Sequence, residues 1–187
     1  MDKIVLDIET KNTFADVGGQ ANVRDLKVSF VGVYSYNQDK YLSFFESDLP
    51  ALGELIQSAG LIIGFSINRF DIPVLEKHYQ FNLSAIPRLD LLEEVEIAYG
   101  ARISLNILAE ANLGTRKTHH GLEAVTLYEE GKLEELKNYC LNDVKITKDL
   151  YELIRKQKYL TIPNKFSGEP VKVPMEIHDA YLPATLF

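Results

Sequence analysis

Residues 3–10, "KIVLDIET", constrain the fold more than any other stretch of this chain. The run has the apolar, β-branched make-up of a buried strand. Side chains two apart on a strand share a face, so Ile4, Leu6 and Ile8 line one side and Val5, Asp7 and Glu9 the other. A strand apolar on both faces belongs at the centre of a covered sheet. Two carboxylates on such a strand need a reason, because a buried carboxylate is costly unless it is paired, protonated or bound to a metal.

The surrounding pattern says what that sheet is. After the polar loop "KNTFADVGGQANVRD", the segments "KVSFVGVYSY" and "KYLSFFE" read as strands joined at "NQD", a hairpin signal. "LPALGELIQSA" has helical spacing at Leu49, Leu52, Leu55 and Ile56, and "GLIIGFSI" is a short apolar run of the kind that makes a fully buried strand. "DIPVLEKHY" opens like a helix, with Asp71 at or near the cap and Pro73 in the first turn. "IPRLDLL" predicts a short fifth strand, and from Leu91 the chain turns helical, ending in a long helix from Leu133 to about Lys158. This order predicts an α/β fold: a mixed five-stranded sheet with three antiparallel strands followed by parallel ones, helices on both faces and the first strand central. Residues 1–158 form the expected domain. Residues 159–187, with four prolines, are expected as an extended tail packed on it.

A length of 187 residues with 46% hydrophobic content suits one domain with a sizeable core. The net charge of −7 argues against a general nucleic-acid binder with a basic footprint, but not against an enzyme that holds divalent cations. Cys140 is the one cysteine, so no internal disulfide is expected. No apolar run approaches the ~20 residues that span a bilayer, and the N-terminus lacks the pattern of a signal peptide. The expectation is a soluble cytoplasmic protein with no membrane partner.

The long helix adds a second misplaced acid. Its apolar stripe runs through Leu136, Cys140, Thr147, Leu150 and Ile154, and Asp143 falls within it. Tyr139 lies one turn before Asp143 on nearly the same face. A third acidic site, "NRFD", follows the buried strand "LIIGFSI", and in open α/β sheets sites gather beyond the carboxyl ends of strands. Each feature alone also fits a structural role: a lone buried Asp often only accepts hydrogen bonds, and Asp-x-Glu arises by chance. Three acidic sites in order, each at the end of an element that can converge, point to a shared site.

"DIET", "NRFD" and "YCLND" resemble the three exonuclease motifs of the DEDD superfamily, which has an RNase H-like fold. Tyr139 stands four residues before Asp143 and Asn138 five before, which matches the tyrosine subgroup rather than the histidine subgroup. The resemblance runs from Lys3 to about Tyr151, and the chain is similar to prokaryotic RNase H-like domains, some of which are fused to helicases. It implies a 3′→5′ exonuclease acting on the 3′ ends of single-stranded DNA or RNA, with any helicase or polymerase partner on a separate chain. The alternative is an RNase H-like nucleic-acid-binding or regulatory module without turnover.

Asp7, Glu9, Asp71 and Asp143 make an all-oxygen donor set of the kind that suits two Mg²⁺ or Mn²⁺ ions, with Asp7 the expected bridge. Tyr139 would orient the attacking water, because a phenol with a pKa near 10 is a poor base at neutral pH. Substrate contacts are expected from Thr10, Phe14, Asn68 and Phe70, the two rings stacking on or wedging against bases. Phe70 equally suits a core position, and Asn68 equally suits a hydrogen bond within its loop. The basic loop "GTRKTHHG" offers Arg116, Lys117, His119 and His120 as phosphate contacts. Its paired histidines lack a Cys or third His at zinc-ligand spacing.

Overall fold

The two-faced strand becomes the axis of the sheet. In the computed structural model, which describes residues 1–115, 121–164 and 169–177, β1 (Asp2–Thr10) is the middle strand of five. On one side it pairs antiparallel with β2 (Val28–Ser35), which pairs antiparallel with β3 (Lys40–Phe45). On the other side it runs parallel to β4 (Ala59–Gly64), which runs parallel to β5 (Arg88–Asp90). The order β3-β2-β1-β4-β5 is the mixed sheet that the strand signals predict.

The alternation on β1 sorts the helices into two layers. Ile4, Leu6 and Ile8 pack with Leu52 and Ile56 of α1 (Leu49–Ser58) and with Val74 and Leu75 of α2 (Asp71–Glu76). Val5 and Ile63 face the other layer, with Leu91 and Val95 of α3 (Leu91–Tyr99) and Leu108 of α4 (Leu105–Leu113). The same layer holds Leu150 and Ile154 of α6 (Leu133–Gln157). Phe30 extends it toward Ala124 and Leu127 of α5 (Gly121–Glu129) and Cys140 of α6. Ser104 and Asp90 cap α4 and α3 with their side chains, as these residue types do at helix starts.

The described part of the tail is more regular than an extended segment. β6 (Tyr159–Pro163) and β7 (Pro170–Pro174) pair as an antiparallel hairpin, with prolines at three of the four strand ends, where a missing amide is tolerated. Leu160, Ile162, Val173 and Met175 join the core beside α4 and α6. Asn112 of α4 ties the hairpin down: Thr161 N donates to its Oδ1 at 2.7 Å and its Nδ2 donates to Thr161 O at 2.8 Å. One amide side chain thus serves the strand edge as a neighbouring strand would.

The seat of α6 on the sheet depends on Gly32, which lies opposite Asp7 on β2. A Cβ at that position would sit 3.0 Å from Val144 Cγ2 and 3.1 Å from Cys140 Sγ. The missing side chain lets the middle of α6 lie against the sheet next to the acidic end of β1. Gly32→Val is expected to cost about 1–3 kcal/mol through overpacking, read as a fall in Tm of several degrees by calorimetry. An unchanged Tm would show that the helix does not rest on this residue.

Candidate active site

Three chain segments meet beyond the carboxyl end of β1. The first is β1 itself, with Asp7 and Glu9 on the face toward α6. The second is α6. Its Cys140, fully buried, lies with Sγ 3.3 Å from Asp7 O and 3.4 Å from Asp7 Oδ2, the thiol donating. Tyr139 and Asp143 flank Cys140 on the same buried stripe. Burial, reinforced by the charges of Asp7 and Glu9, pushes the Cys140 thiol well above its ordinary range. At neutral pH it is a neutral S–H that packs and donates.

The third segment is the loop from β4 into α2. β4 ends at Gly64, while β1 continues several residues further. The Ile8 amide on that overhang would lack a ladder partner, and it donates to Asp71 Oδ1 at 3.0 Å. Asp71 is therefore both the first residue of α2 and a rivet to the first strand. Burial first, and the charge of Asp7 next, hold its carboxyl well above the ordinary carboxylate range.

Asp90, at the end of β5, sets the path of that loop. Its carboxylate accepts Ser66 N at 2.7 Å, Asn68 N at 3.0 Å and Leu92 N at 3.0 Å. Ser66 sits in the left-handed region at φ 67°, a costly conformation for a residue with a Cβ, and this hydrogen bond helps to hold it. Burial raises the Asp90 carboxyl above its ordinary range. Asp90 had no mark in the sequence beyond that of an acid ending a strand and capping a helix. Gly64 leaves room for the turn, since a Cβ there would come within 1.9 Å of Ile67 Cγ2.

These segments enclose a cavity of about 690 Å³. Asp7, Glu9, Asp71, Tyr139 and Asp143 all line it, as do Thr10, Phe14 and Phe70. Phe14 and Phe70 meet edge to face, with ring centroids 5.8 Å apart, and form an apolar wall beside the acids. The Thr10 hydroxyl donates to Asn12 O at 2.8 Å, helping to turn the chain out of the strand. Asn68 does not line the cavity: its Nδ2 donates to Glu93 Oε2 at 2.7 Å and its Oδ1 accepts from Arg88 Nε at 2.8 Å. Its side chain fastens the loop that carries Asp71. Arg116, Lys117, His119 and His120 lie outside the described residues. Arg69 and Arg102 also line the cavity, although the sequence reading did not single them out.

The donor set fits a hard divalent cation. Asp7, Glu9 and Cys140 each present one potential ligand atom, all within 4.8 Å of one another, and Asp71 and Asp143 line the same cavity. With the thiol protonated, the available donors are carboxylate oxygens, the chemistry that Mg²⁺ and Mn²⁺ prefer. Among the described residues, no helix is long and apolar enough to cross a membrane.

Residues 4–155 match the family model of the RNase H superfamily. Solved structures that share the fold include parts of two larger proteins. A family B DNA polymerase from the hyperthermophilic archaeon Pyrobaculum calidifontis is 17% identical, with a TM-score of 0.64 over 83% of this chain and 24% of the polymerase. Exonuclease I, from a structure described as suggesting how processivity is achieved, is 13% identical, with a TM-score of 0.58 over 83% of this chain and 41% of that one. The chain thus spans less than half the length of either protein. No curated protein matches it in sequence.

The raised Asp71 carboxyl predicts a pH dependence. The folded chain keeps this proton to higher pH than the unfolded chain does. Stability without divalent ions is therefore lost as pH rises from the ordinary carboxylate range through the raised folded value. In a chelator, calorimetry across that window should show the Tm of the parent falling relative to Asp71→Asn, which cannot ionise. The variant should be ahead by about 2–4 °C at the upper end, the effect of about 1 kcal/mol in a domain of this size. A parent Tm that rises relative to the variant over this window would contradict the assignment.

Proposed function

The chain belongs to the RNase H superfamily, and on that premise we propose that it is a metal-dependent 3′→5′ exonuclease of the DEDD tyrosine subgroup, acting on single-stranded DNA or RNA. One observation carries the reading: Asp7, Glu9, Asp71, Asp143 and Tyr139, brought from β1, α2 and α6, line a single cavity. The likeness in fold to exonuclease I supports it.

Asp7, Glu9, Asp71 and Asp143 are the residues that would hold the ions. When bound, a pair of Mg²⁺ or Mn²⁺ ions supplies Lewis acidity and makes water a nucleophile near neutral pH. The protein contributes the positions. β1 holds Asp7 and Glu9 two residues apart on one face. The Ile8–Asp71 hydrogen bond fixes the second motif against the first. The packing of Cys140 on Asp7 fixes the third. Tyr139, one turn from Asp143, orients the attacking water through its hydroxyl. The Phe14–Phe70 wall receives the terminal bases, and stacking of this kind tolerates any sequence.

An end-labelled single-stranded oligonucleotide, as DNA and as RNA, tests the reading with Mg²⁺ or Mn²⁺ present. A ladder of products shortened from the 3′ end is expected. Internal cuts would mean an endonuclease, and an unchanged substrate a binding module. Asp143→Ala should slow the ladder by more than about 100-fold, beyond what outer-shell changes cost at metal sites. Tyr139→Phe should slow turnover by up to about 100-fold through misplacement of the nucleophile. Its Mn²⁺ affinity by titration calorimetry should be unchanged, and full activity in this variant would remove Tyr139 from the mechanism.

A further inference from the structure

The cavity is lined by basic residues as well as acids. Among the described residues, Arg69 and Arg102 are the cations that line it. Arg69 lies in the motif loop, two residues before Asp71, and Arg102 lies between α3 and α4. Both converge on Glu96 of α3. Arg69 grips it with a fork, Nη2 to Oε2 at 2.7 Å and Nη1 to Oε1 at 3.3 Å. Arg102 Nε lies 3.5 Å from Oε1. The arginine side chains are 46% and 57% exposed and that of Glu96 22%, so the carboxylate lies beneath and the guanidiniums face solvent.

Glu93 and Asp90 add negative charge near Arg69, and both arginines pair with Glu96. As surface ion pairs they contribute little to stability, about 0–1 kcal/mol each. A guanidinium has five N–H donors in a plane, and Glu96 meets Arg102 at its Nε. The edge of Arg102 away from its Nε matches two oxygens of a phosphate, as does the side of Arg69 turned from Glu96. The setting favours an anion for a second reason. A polynucleotide entering an acidic cavity of a chain with net charge −7 meets repulsion wherever no cation faces it.

We propose that Arg69 and Arg102, braced by Glu96, bind a non-scissile backbone phosphate of the polynucleotide whose 3′ end lies among the acids. The inference rests on the exonuclease reading for the identity of the substrate. It separates the cavity into two parts: carboxylates for the bond that breaks, and a two-arginine clamp for the chain that remains. Phosphate contacts position a strand without reading its sequence, which suits an enzyme that must accept every base.

The test is a cycle between protein and substrate. Single-stranded oligonucleotides carrying one uncharged methylphosphonate linkage, moved stepwise from the 3′ end, are compared on the parent and on the Arg69→Gln/Arg102→Gln double variant. On the parent, one particular linkage should raise KM about tenfold, as loss of a charge-assisted hydrogen bond does. The variant should show a similar rise on the fully charged strand and no further rise at that linkage, so that the two perturbations are not additive. The salt dependence of log KM should flatten by about 0.7 for the lost phosphate contact. Additive effects at every linkage, or an unchanged salt slope, would overturn the clamp. Fluorescence anisotropy of the same labelled strands reads this contact without turnover. Loss of cleavage in the parent would therefore sink the exonuclease reading, while unchanged binding in the variant would sink this one.

Discussion

The hydrogen bond from the Ile8 amide to the Asp71 carboxylate is the interaction on which the cavity depends. It exists because β1 outruns β4, leaving an amide that the sheet does not satisfy. The acid that satisfies it is itself buried and faces the charge of Asp7, so its ionised form is disfavoured by the same neighbours that position it. This is an arrangement with a standing electrostatic cost. A divalent cation bound among these acids would relieve that cost. Stability and proposed chemistry therefore pull against each other at this point, as they do where sites are preorganised.

The other supports work on the same geometry from a distance. Asp90 gathers three backbone amides and so fixes the turn that delivers Asp71. Asn68 and Arg88 close the loop from its outer side. Gly32 lets α6 approach, and Cys140 fills the contact against Asp7. None of these needs to touch a substrate. Each removes freedom from an acid or from Tyr139, so that little reorganisation remains when a ligand arrives. Phe14 is held in turn by the loop after β1, where Asp16 accepts both the amide and the hydroxyl of Thr13. That pairing holds the Asp16 carboxyl below its ordinary range.

Much of the fold was legible because its signals are local. The period-two alternation of "KIVLDIET" and the apolar run "GLIIGFSI" named a central and a buried strand, and the sheet contains both in those places. The hairpin at "NQD" and the helix from Leu133 followed from turn chemistry and stripe spacing. The described tail was less legible. Its prolines suggested an extended tail, whereas Pro163, Pro170 and Pro174 end strands and the alternation of Leu160 and Ile162 makes one face of a hairpin. In the candidate site, Asp7, Glu9 and Asp143 stood out because each breaks its local pattern, and Asp71 and Tyr139 through the motifs they complete. Asp90, Arg69 and Arg102 break none: a capping acid and two loop arginines are ordinary in sequence, and only their shared neighbours give them meaning.

The sequence by itself determined which side chains had no business on a core face, and therefore that Asp7, Glu9 and Asp143 needed a common explanation. It also determined the order of elements, since periodicity and turn residues act over a few positions. Only the tertiary structure decided that Asp71 would bond to the first strand rather than merely begin a helix. It likewise decided that Asn68 would face Arg88 and Glu93 rather than the cavity, and that two distant arginines would share Glu96. The reason is physical: hydrogen bonds and ion pairs depend on distances between segments far apart in the chain. Those distances are set by strand lengths, a missing Cβ at Gly32 and the packing of α6, and no local pattern encodes them.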